Sequence, residues 1–339
     1  MTHNATDDRY TLLLSWLQAI HQERTVTLVP LLGDAGFRRY YRYTHQQSTF
    51  IAVDAPPSSE NNAAFVVIAK TLQQAGLYVP EVFHYDLNNG FMVLADLGDK
   101  QLLRELNAQT VSPLYQQAID ELLKIQRCRD TEHYRLPFFD SVLIQKECQL
   151  FKEWFLEKHL GSSLNTQQSR TFEHMMEHFI TNSKQQPQVW VHRDYHSRNL
   201  MLCENKKLGI LDFQDAVWGP ISYDFISLVR DCYIDWPEEQ VAGWTASYYQ
   251  LLRVEKQLTD ISLSQFTEWV DTTGAQRHLK AIGIFARKFQ RDHTKAYLGD
   301  IPRTLRYVQH ISEQHKALRP LYDFLGEVLS KTANAIEVL

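Results

Sequence analysis

The chain has 339 residues, of which 44% are hydrophobic and 22% are charged, and its formal net charge at pH 7 is -5. This length suffices for two lobes, because a single hydrophobic core stops growing at about 250 to 300 residues. The slight acidic excess provides no basic stripe of the kind that nucleic-acid binders carry, and we therefore exclude a nucleic-acid partner.

The amino-terminal segment, residues 1–20, predicts an amphipathic helix. It lacks the basic region and the small-residue cleavage site of a signal peptide. Elsewhere, no stretch of the sequence reaches the ~18 apolar residues that span a membrane. The four cysteines are widely spaced and form no CxxC pair, which is typical of reduced thiols and not of disulfides or a zinc knuckle. We therefore expect a cytoplasmic protein without a membrane partner.

Residues 26–97 predict a small antiparallel sheet with one helix against it. Three β-branched and aromatic runs in residues 26–54 are separated by the breakers GDAG and HQQS and predict three strands. Apolar residues at helical spacing then predict a helix that begins near Pro57 and ends at Gly76. Two further strands, VPEVFHY and FMVLADL, surround the turn NNG. The predicted order is three strands, one helix and two strands.

Beyond this region, long amphipathic helices dominate the sequence. They are predicted around 112–128, 140–159 and 166–182. The polar loop VHRDYHSRNLM, residues 191–201, interrupts them and is followed by two short strands around the turn ENKK. Because no flexible linker separates the two textures, we place the boundary between a lobe of residues 1–97 and a helical lobe of residues 98–339 at Leu97–Gly98.

The polar loop carries acidic and amide side chains at fixed offsets. Asp194 and Asn199 lie five residues apart in HRDYHSRN, and Asp212 follows Asn199 by 13 residues at the end of the strand LGILD. If the two short strands pair as a hairpin, we expect these three side chains to converge. Their oxygen atoms are the hard ligands that Mg²⁺ prefers. The spacing matches the phosphoryl-transfer template H-R-D-x-x-x-x-N, in which the aspartate accepts a hydroxyl proton.

Two simpler interpretations of the loop are disfavoured. A polar loop before a capped hairpin leaves the strand-end Asp212 and the preceding five-stranded lobe unexplained. A zinc site at His192 and His196 is disfavoured because their spacing of four falls in a loop and lacks the glutamate of HExxH.

With these motifs, the sequence resembles the aminoglycoside phosphotransferase and choline kinase superfamily. Within it, the chain is most similar to the anomeric N-acetylmuramate/N-acetylglucosamine kinase family of bacterial cell-wall recycling. Besides the loop, the matching segments are GDAGFRRYYR, DAPP, GFMVLADLGD, LDFQDAVWGPISYD, QRHLKAIGIFARKFQRD and YLGDIPR, which extend over most of the chain. The resemblance implies an α+β, bilobal protein-kinase-like fold, with a nucleotide-binding sheet lobe and a larger helical lobe that holds the catalytic loop and the acceptor pocket.

The resemblance also implies an ATP- and Mg²⁺-dependent kinase that produces a sugar 1-phosphate. Its roles fall on eight residues: Asp194 as catalytic base, Asn199 and Asp212 as Mg²⁺ ligands, His192 and Asp224 as braces of the catalytic loop, and Ala95, Asp96 and Leu97 as the backbone that binds adenine. Asp224 also has a simpler interpretation as a helix N-cap. We expect a monomer that acts on a small-molecule amino sugar.

The phosphate-binding cation departs from the protein-kinase pattern. Protein kinases carry a lysine on the third strand, where this chain has Asp54. Arg38 and Arg39 are candidate replacements, and strand alternation directs only one of them inward. Backbone N–H groups of the GDAG turn, which includes Gly33 and Gly36, are suited to hold phosphate. The simpler interpretation is two exposed arginines on a strand.

Three further side chains are candidates for the site. Arg198, beside Asn199, is suited to stabilise charge on the transferred phosphoryl group. Asp215 and Arg287 are candidate substrate residues, the first because it follows Asp212, the second because an apolar helix rarely carries a buried arginine without a partner. Each of the three has an alternative role in an ordinary salt bridge.

Two other function classes stay open at this stage. A kinase for an aminoglycoside, choline or a related alcohol shares every catalytic residue and differs only in the acceptor pocket. A nucleotide-binding pseudokinase is suggested by the missing lysine but opposed by the intact Asp194, Asn199 and Asp212. A protein kinase is disfavoured because no D-F-G and A-P-E pair bounds an activation loop.

Overall fold

The computed structural model describes residues 3–31, 37–132 and 134–330. In chain order its strands are β1 (Val29–Leu31), β2 (Arg39–His45), β3 (Ser48–Asp54), β4 (Val82–Asp86), β5 (Phe91–Ala95), β6 (Gln188–Val191), β7 (Leu200–Leu202), β8 (Leu208–Ile210) and β9 (Val217–Pro220). Its helices are α1 (His3–His21), α2 (Asn62–Gln74), α3 (Leu102–Glu105), α4 (Val111–Arg127), α5 (Ser141–Leu150), α6 (Thr166–Gln185), α7 (Tyr223–Val229), α8 (Glu238–Val254), α9 (Leu263–Asp292), α10 (Ile301–Gln314) and α11 (Arg319–Ser330). Short 3₁₀ turns lie at Glu204–Lys206, Leu298–Asp300 and Lys316–Leu318.

The chain forms two compact units, which we describe separately. The first comprises Met1–Arg104, Asp130–Arg135 and Asn199–Asp215, and the second comprises Glu105–Arg129, Leu136–Arg198 and Ala216–Leu339. The first unit thus includes two segments beyond the predicted boundary at Leu97–Gly98. Where the functional lobes divide stays a prediction.

The first unit contains an antiparallel sheet with the strand order β1-β2-β3-β5-β4 in the described part of the chain. Along the chain, β1, β2 and β3 precede α2, and β4 and β5 follow it, which confirms the predicted order of three strands, one helix and two strands. The predicted amino-terminal helix is also confirmed, and α1 buries Leu13 and Leu17 in a hydrophobic core with Ala52 and Val93 of the sheet. Burying two leucines in this way stabilises the sheet by roughly 1.5 to 3 kcal/mol each.

Helix α2 begins later than the sequence predicted. The Asn61 side chain accepts a hydrogen bond from the Ala64 N–H and so caps the helix, which starts at Asn62 and not near Pro57. An asparagine cap satisfies an N–H that the first turn cannot bond internally, which explains the later start. At the other end, Gly76 has a φ of +80°, as predicted for a glycine that ends a helix.

The two short strands after the polar loop pair as predicted. Leu200 lies opposite Ile210 and Leu202 opposite Leu208, so that β7 and β8 form an antiparallel hairpin within the first unit. The Leu211 N–H also donates a hydrogen bond to the Asn199 carbonyl at 2.9 Å. This bond closes the open end of the hairpin, where Asn199 and Asp212 are located.

The second unit is mainly helical, and the three predicted long helices correspond to α4, α5 and α6. A π-helical segment, Phe151–His159, continues α5, and the sequence did not predict it. Strand β6 pairs with β9 in an antiparallel ladder that leads directly into the polar loop. Among the described residues, no helix is both long and apolar enough to cross a membrane.

Candidate active site

Two buried aspartates hold the part of the polar loop that belongs to the second unit. Asp224, in the first turn of α7, accepts hydrogen bonds from the backbone N–H groups of His192 at 2.6 Å and Arg193 at 2.9 Å. Asp231, just after α7, accepts one from the Ser197 N–H at 2.9 Å. Burial raises the pKa of Asp224 to about 7, in opposition to the two N–H donors. The N-cap position of α7 is Ser222, so the Asp224 carboxylate serves the loop.

Asp194 is held in the loop by its backbone. Its N–H donates a hydrogen bond to Nδ1 of the buried His192 at 3.3 Å. Arg193, immediately before it, has a φ of +75°, a conformation that side-chain-bearing residues adopt rarely and that clusters at functional sites. The Asp194 side chain remains 36% exposed. The loop therefore presents this carboxylate to solvent from a fixed backbone.

A charged cluster that the sequence analysis missed surrounds Asp194. Glu147 of α5, only 4% exposed, pairs with Arg193 at 2.6 Å and with Lys280 of α9 at 3.2 Å. Lys280 Nζ also lies 4.0 Å from Asp194 Oδ1. The signal in the sequence was the presence of a glutamate and a lysine inside otherwise amphipathic or apolar helices, because such groups are buried only when paired.

Arg198 is held between two aromatic rings of the second unit. Its guanidinium carbon lies 4.7 Å from the ring centroid of Tyr233 and 5.2 Å from that of Tyr297. Stacking of this kind suits the planar guanidinium and restricts its orientation. The position of Arg198 is therefore fixed by Tyr233, near α7, and by Tyr297, which follows α9.

Asn199 and Asp212 come together at the open end of the β7–β8 hairpin in the first unit. Asn199 Nδ2 lies 3.4 Å from Asp212 Oδ2, and Gln214 donates a hydrogen bond to the other carboxylate oxygen. Asp212 is exposed and has a φ of +63°. The pair supplies a carboxylate and, after an amide flip, a carbonyl oxygen, which suits Mg²⁺ because this ion keeps several waters and binds few protein ligands. Convergence of Asp194 with this pair stays a prediction.

The described residues contain no group of three or more His, Cys, Asp and Glu side chains arranged to hold a metal. This finding leaves the disfavoured zinc site at His192 and His196 untested. It does not bear on the pair of Asn199 and Asp212, because Mg²⁺ completes its shell with water and substrate phosphates.

The two candidate arginines before and in β2 have different surroundings. Arg38 is 7% exposed, pairs with Glu60 at 3.1 Å and lies over the Phe65 ring at 5.3 Å. Burial raises the pKa of the neighbouring Tyr40 to about 12, with Arg38 opposing and Asp212 adding to the shift, so the phenol lies within the fields of both charges. Arg38 thus belongs to the side of the first unit that carries Asp212.

Arg39 points to a different partner. It forms an ion pair with Asp54, which is 1% exposed and also pairs with Arg9 of α1. Asp54 is the residue found in place of the strand lysine, and the two arginines neutralise its buried charge. Arg39 is therefore committed to a structural carboxylate.

The predicted adenine-binding segment follows β5. The Ala95 N–H donates to the Glu81 carbonyl at 2.9 Å. The Asp96 carboxylate pairs with Arg42 at 2.6 Å and accepts the Gly98 N–H at 3.0 Å, while the Leu97 carbonyl accepts the Cys203 thiol at 3.6 Å. Asp96 and Leu97 lie beyond the last paired residue of β5. Their binding role stays a prediction.

The remaining candidates are placed as follows. Asp215 is exposed in the first unit, three residues after Asp212. Arg287 is half-buried on α9, seven residues after Lys280, and its Nε is buried without a hydrogen-bond partner among the described residues. Burial lowers the pKa of Arg287, and the nearby charge of Arg291 lowers it further to a smaller extent. Gly33 and Gly36 lie outside the described residues.

Comparison with known proteins gives sequence relatives along almost the entire chain. Residues 27–258 match the model of the phosphotransferase enzyme family. The N-acetylmuramate/N-acetylglucosamine kinase of Pseudomonas putida is 38% identical over 89% of this chain and 88% of its own length. The kinase of the same name from Pseudomonas aeruginosa is 37% identical over 98% of this chain and 99% of its own length. These matches confirm the family resemblance found in the motifs.

Solved structures show the same fold at low sequence identity. The choline kinase LicA from Streptococcus pneumoniae superposes with a TM-score of 0.63 at 12% identity, over 90% of this chain and 99% of its own. The aminoglycoside phosphotransferase APH(2'')-Ib with bound ADP has a TM-score of 0.57 at 13% identity, over 88% of this chain and 98% of its own. The predicted α+β kinase-like fold is thereby confirmed.

Proposed function

The chain belongs to the phosphotransferase enzyme family, and from this premise we propose that it is an ATP-dependent kinase for the anomeric hydroxyl of N-acetylmuramate or N-acetylglucosamine. The proposed product is the sugar 1-phosphate, and the proposed pathway is peptidoglycan recycling. The observation that carries the proposal is Asp194, presented at 36% exposure by a loop that two buried aspartates hold. We further propose that the protein is a cytoplasmic monomer.

Each group in the proposed mechanism has one task. Asp194 orients the acceptor hydroxyl and receives its proton, while Arg198 stabilises charge on the transferred phosphoryl group. Asn199 and Asp212 hold Mg²⁺, which when bound neutralises charge on the phosphate oxygens. The backbone of Ala95, Asp96 and Leu97 binds adenine, and the GDAG turn with Gly33 and Gly36 holds phosphate. Asp215 is proposed to contact the acceptor.

An acceptor panel tests the proposed function. ATP consumption with Mg²⁺ is measured against N-acetylmuramate, N-acetylglucosamine, glucose, choline and kanamycin, and the position of the phosphate is read by ³¹P NMR. We expect turnover of the two N-acetyl sugars to 1-phosphates. Turnover of choline or kanamycin alone would retain the kinase and reject the sugar. Binding of ATP without any turnover would favour a pseudokinase.

The charge of α9 favours the sugars over a cationic acceptor. Arg287 and Lys288 form a small cationic cluster near its carboxyl-terminal end, where the charge of Arg291 is paired with Asp292. The Nε of Arg287 has no hydrogen-bond partner among the described residues. A cationic aminoglycoside or choline would be repelled by such a cluster, whereas the lactyl carboxylate of N-acetylmuramate would be attracted. We propose that Arg287 binds this carboxylate.

Replacement of Arg287 is expected to separate the two sugars. Arg287→Gln should raise the KM of N-acetylmuramate about 10- to 100-fold, because a hydrogen bond to a charged group is lost. N-acetylglucosamine has no lactyl group, and its KM should stay within about twofold. Arg291→Gln, at a 56% exposed side chain of the same helix, is the matched control. Equal losses for both sugars would reject the assignment.

We propose that Arg38, and not Arg39, replaces the strand lysine. Arg38 pairs with Glu60 much as the kinase lysine pairs with a glutamate, and it lies on the side of Asp212. Arg38→Met should lower kcat/KM for MgATP by about 10²- to 10³-fold. Arg39→Met should reduce the melting temperature and leave kcat/KM within about threefold, because Arg9 still pairs with Asp54. The opposite ranking of the two variants in steady-state kinetics would contradict this choice.

A further inference from the structure

Lys280 is a buried lysine that the proposed mechanism leaves without a task. It projects from the middle of α9 with its side chain 10% exposed. Its ammonium lies 3.2 Å from Glu147 Oε1, 3.3 Å from the Tyr223 hydroxyl and 4.0 Å from Asp194 Oδ1. The ammonium thus lies within hydrogen-bond distance of one hydroxyl and within ion-pair distance of two carboxylates.

Neutralisation of Glu147 does not account for Lys280. Arg193 already pairs with Glu147 at 2.6 Å, and Gln276 donates a hydrogen bond to its other oxygen at 3.0 Å. Replacing buried ion pairs by apolar residues of similar size is often neutral or stabilising. A second cation on one buried carboxylate therefore indicates a task toward the other acidic neighbour, Asp194.

We propose that Lys280 is a positioning residue for Asp194. Its ammonium holds the Asp194 carboxylate ionised and in place, so that the carboxylate orients the acceptor hydroxyl and receives its proton late in the phosphoryl transfer. This inference rests on the proposed function. In the transfer, the anomeric oxygen forms its bond to the γ-phosphorus and the bond from that phosphorus to the β–γ bridging oxygen breaks, which releases ADP. The hydroxyl proton passes to the Asp194 carboxylate.

The charges around Asp194 determine the direction in which its pKa changes when Lys280 is removed. The charged and titratable groups that act on Asp194 are Lys280 and Arg277 of α9, Arg193 and His196 of its own loop, and Asp224 of α7. Glu147 of α5 is linked to it through Lys280. Burial on its own would raise the pKa of Asp194, but these cations, led by Lys280, hold it well below its usual range. Removal of Lys280 therefore raises this pKa, with part of the effect screened because the side chain is 36% exposed.

The test is the pH dependence of kcat/KM in Lys280→Met. Asp194 acts as the anion, so activity is lost as pH falls through its pKa, and a raised pKa moves this acid limb to higher pH. We expect a move of about 1 to 3 pH units toward higher pH, so that Lys280→Met loses activity at acidic pH values where the unaltered protein still keeps it. We also expect kcat to fall ~10- to 100-fold with the KM for MgATP unchanged. Lys184→Met, at an exposed lysine in the last turn of α6, should match the unaltered protein.

Two further variants guard against loss of folding. Lys280→Met with Glu147→Gln removes one charge of each sign, which avoids leaving a buried charge unpaired. Lys280→Arg keeps the cation and should return the acid limb toward that of the unaltered protein. If the folded single and double variants keep the unaltered pH profile and kcat, Lys280 is only structural and the inference is overturned. If the unaltered protein phosphorylates no acceptor, the proposed function fails and this inference fails with it.

Discussion

Asp194→Asn is expected to lower kcat by about 10²- to 10⁴-fold, the usual contribution of a positioned general base. The amide has the shape of the carboxylate and can still accept a hydrogen bond from the acceptor hydroxyl, but it cannot take the proton. The loop backbone is held by Asp224 and Asp231 and does not depend on the Asp194 side chain for these bonds. The KM values for MgATP and for the sugar should therefore change little.

Steady-state kinetics at saturating sugar and MgATP measure this effect. Asp120→Asn, the same chemical change at an exposed position on α4, should keep full activity and serves as the control. Thermal unfolding should show that both variants fold. Near-normal turnover of folded Asp194→Asn would mean that another group receives the proton.

Much of this organisation was available from the sequence because its signals are local. Alternation and breakers predicted three strands, one helix and two strands along the chain, and the spacing of Asn199 and Asp212 predicted the strand-end pair, which the structure places 3.4 Å apart. In both cases a few residues of one segment decide the outcome, and hairpin pairing follows from the turn between the strands.

The charge network was not predictable because its members are far apart in the chain. Glu147 and Arg193 are separated by 46 residues, and Gln276 lies 129 residues after Glu147. Such pairing depends on how α5 and α9 pack, and no spacing rule encodes it. The sequence could not decide the direction of the Arg38 side chain for the same reason, since its partner Glu60 lies in the segment before α2.

Asp212→Asn is expected to lower kcat/KM by about 10²- to 10⁴-fold, because the metal supplies several kcal/mol of charge stabilisation in the transition state. The amide that replaces the carboxylate is a weaker ligand for a hard cation, so half-saturation by Mg²⁺ should require a concentration at least about tenfold higher. Folding should be preserved, because asparagine tolerates the φ of +63° at this position.

Mg²⁺ titrations of activity separate a loss of metal from a loss of structure. Glu204→Gln removes one negative charge from the exposed 3₁₀ turn of the same hairpin and should leave the titration unchanged. If Asp212→Asn lowers kcat with the same Mg²⁺ half-saturation, Asp212 acts other than as a metal ligand, and Asn199 and the phosphates must hold the ion without it. A rise in the Mg²⁺ requirement that is confined to Asp212→Asn ties the catalytic defect to this carboxylate, because charge at the hairpin as a whole would affect both variants.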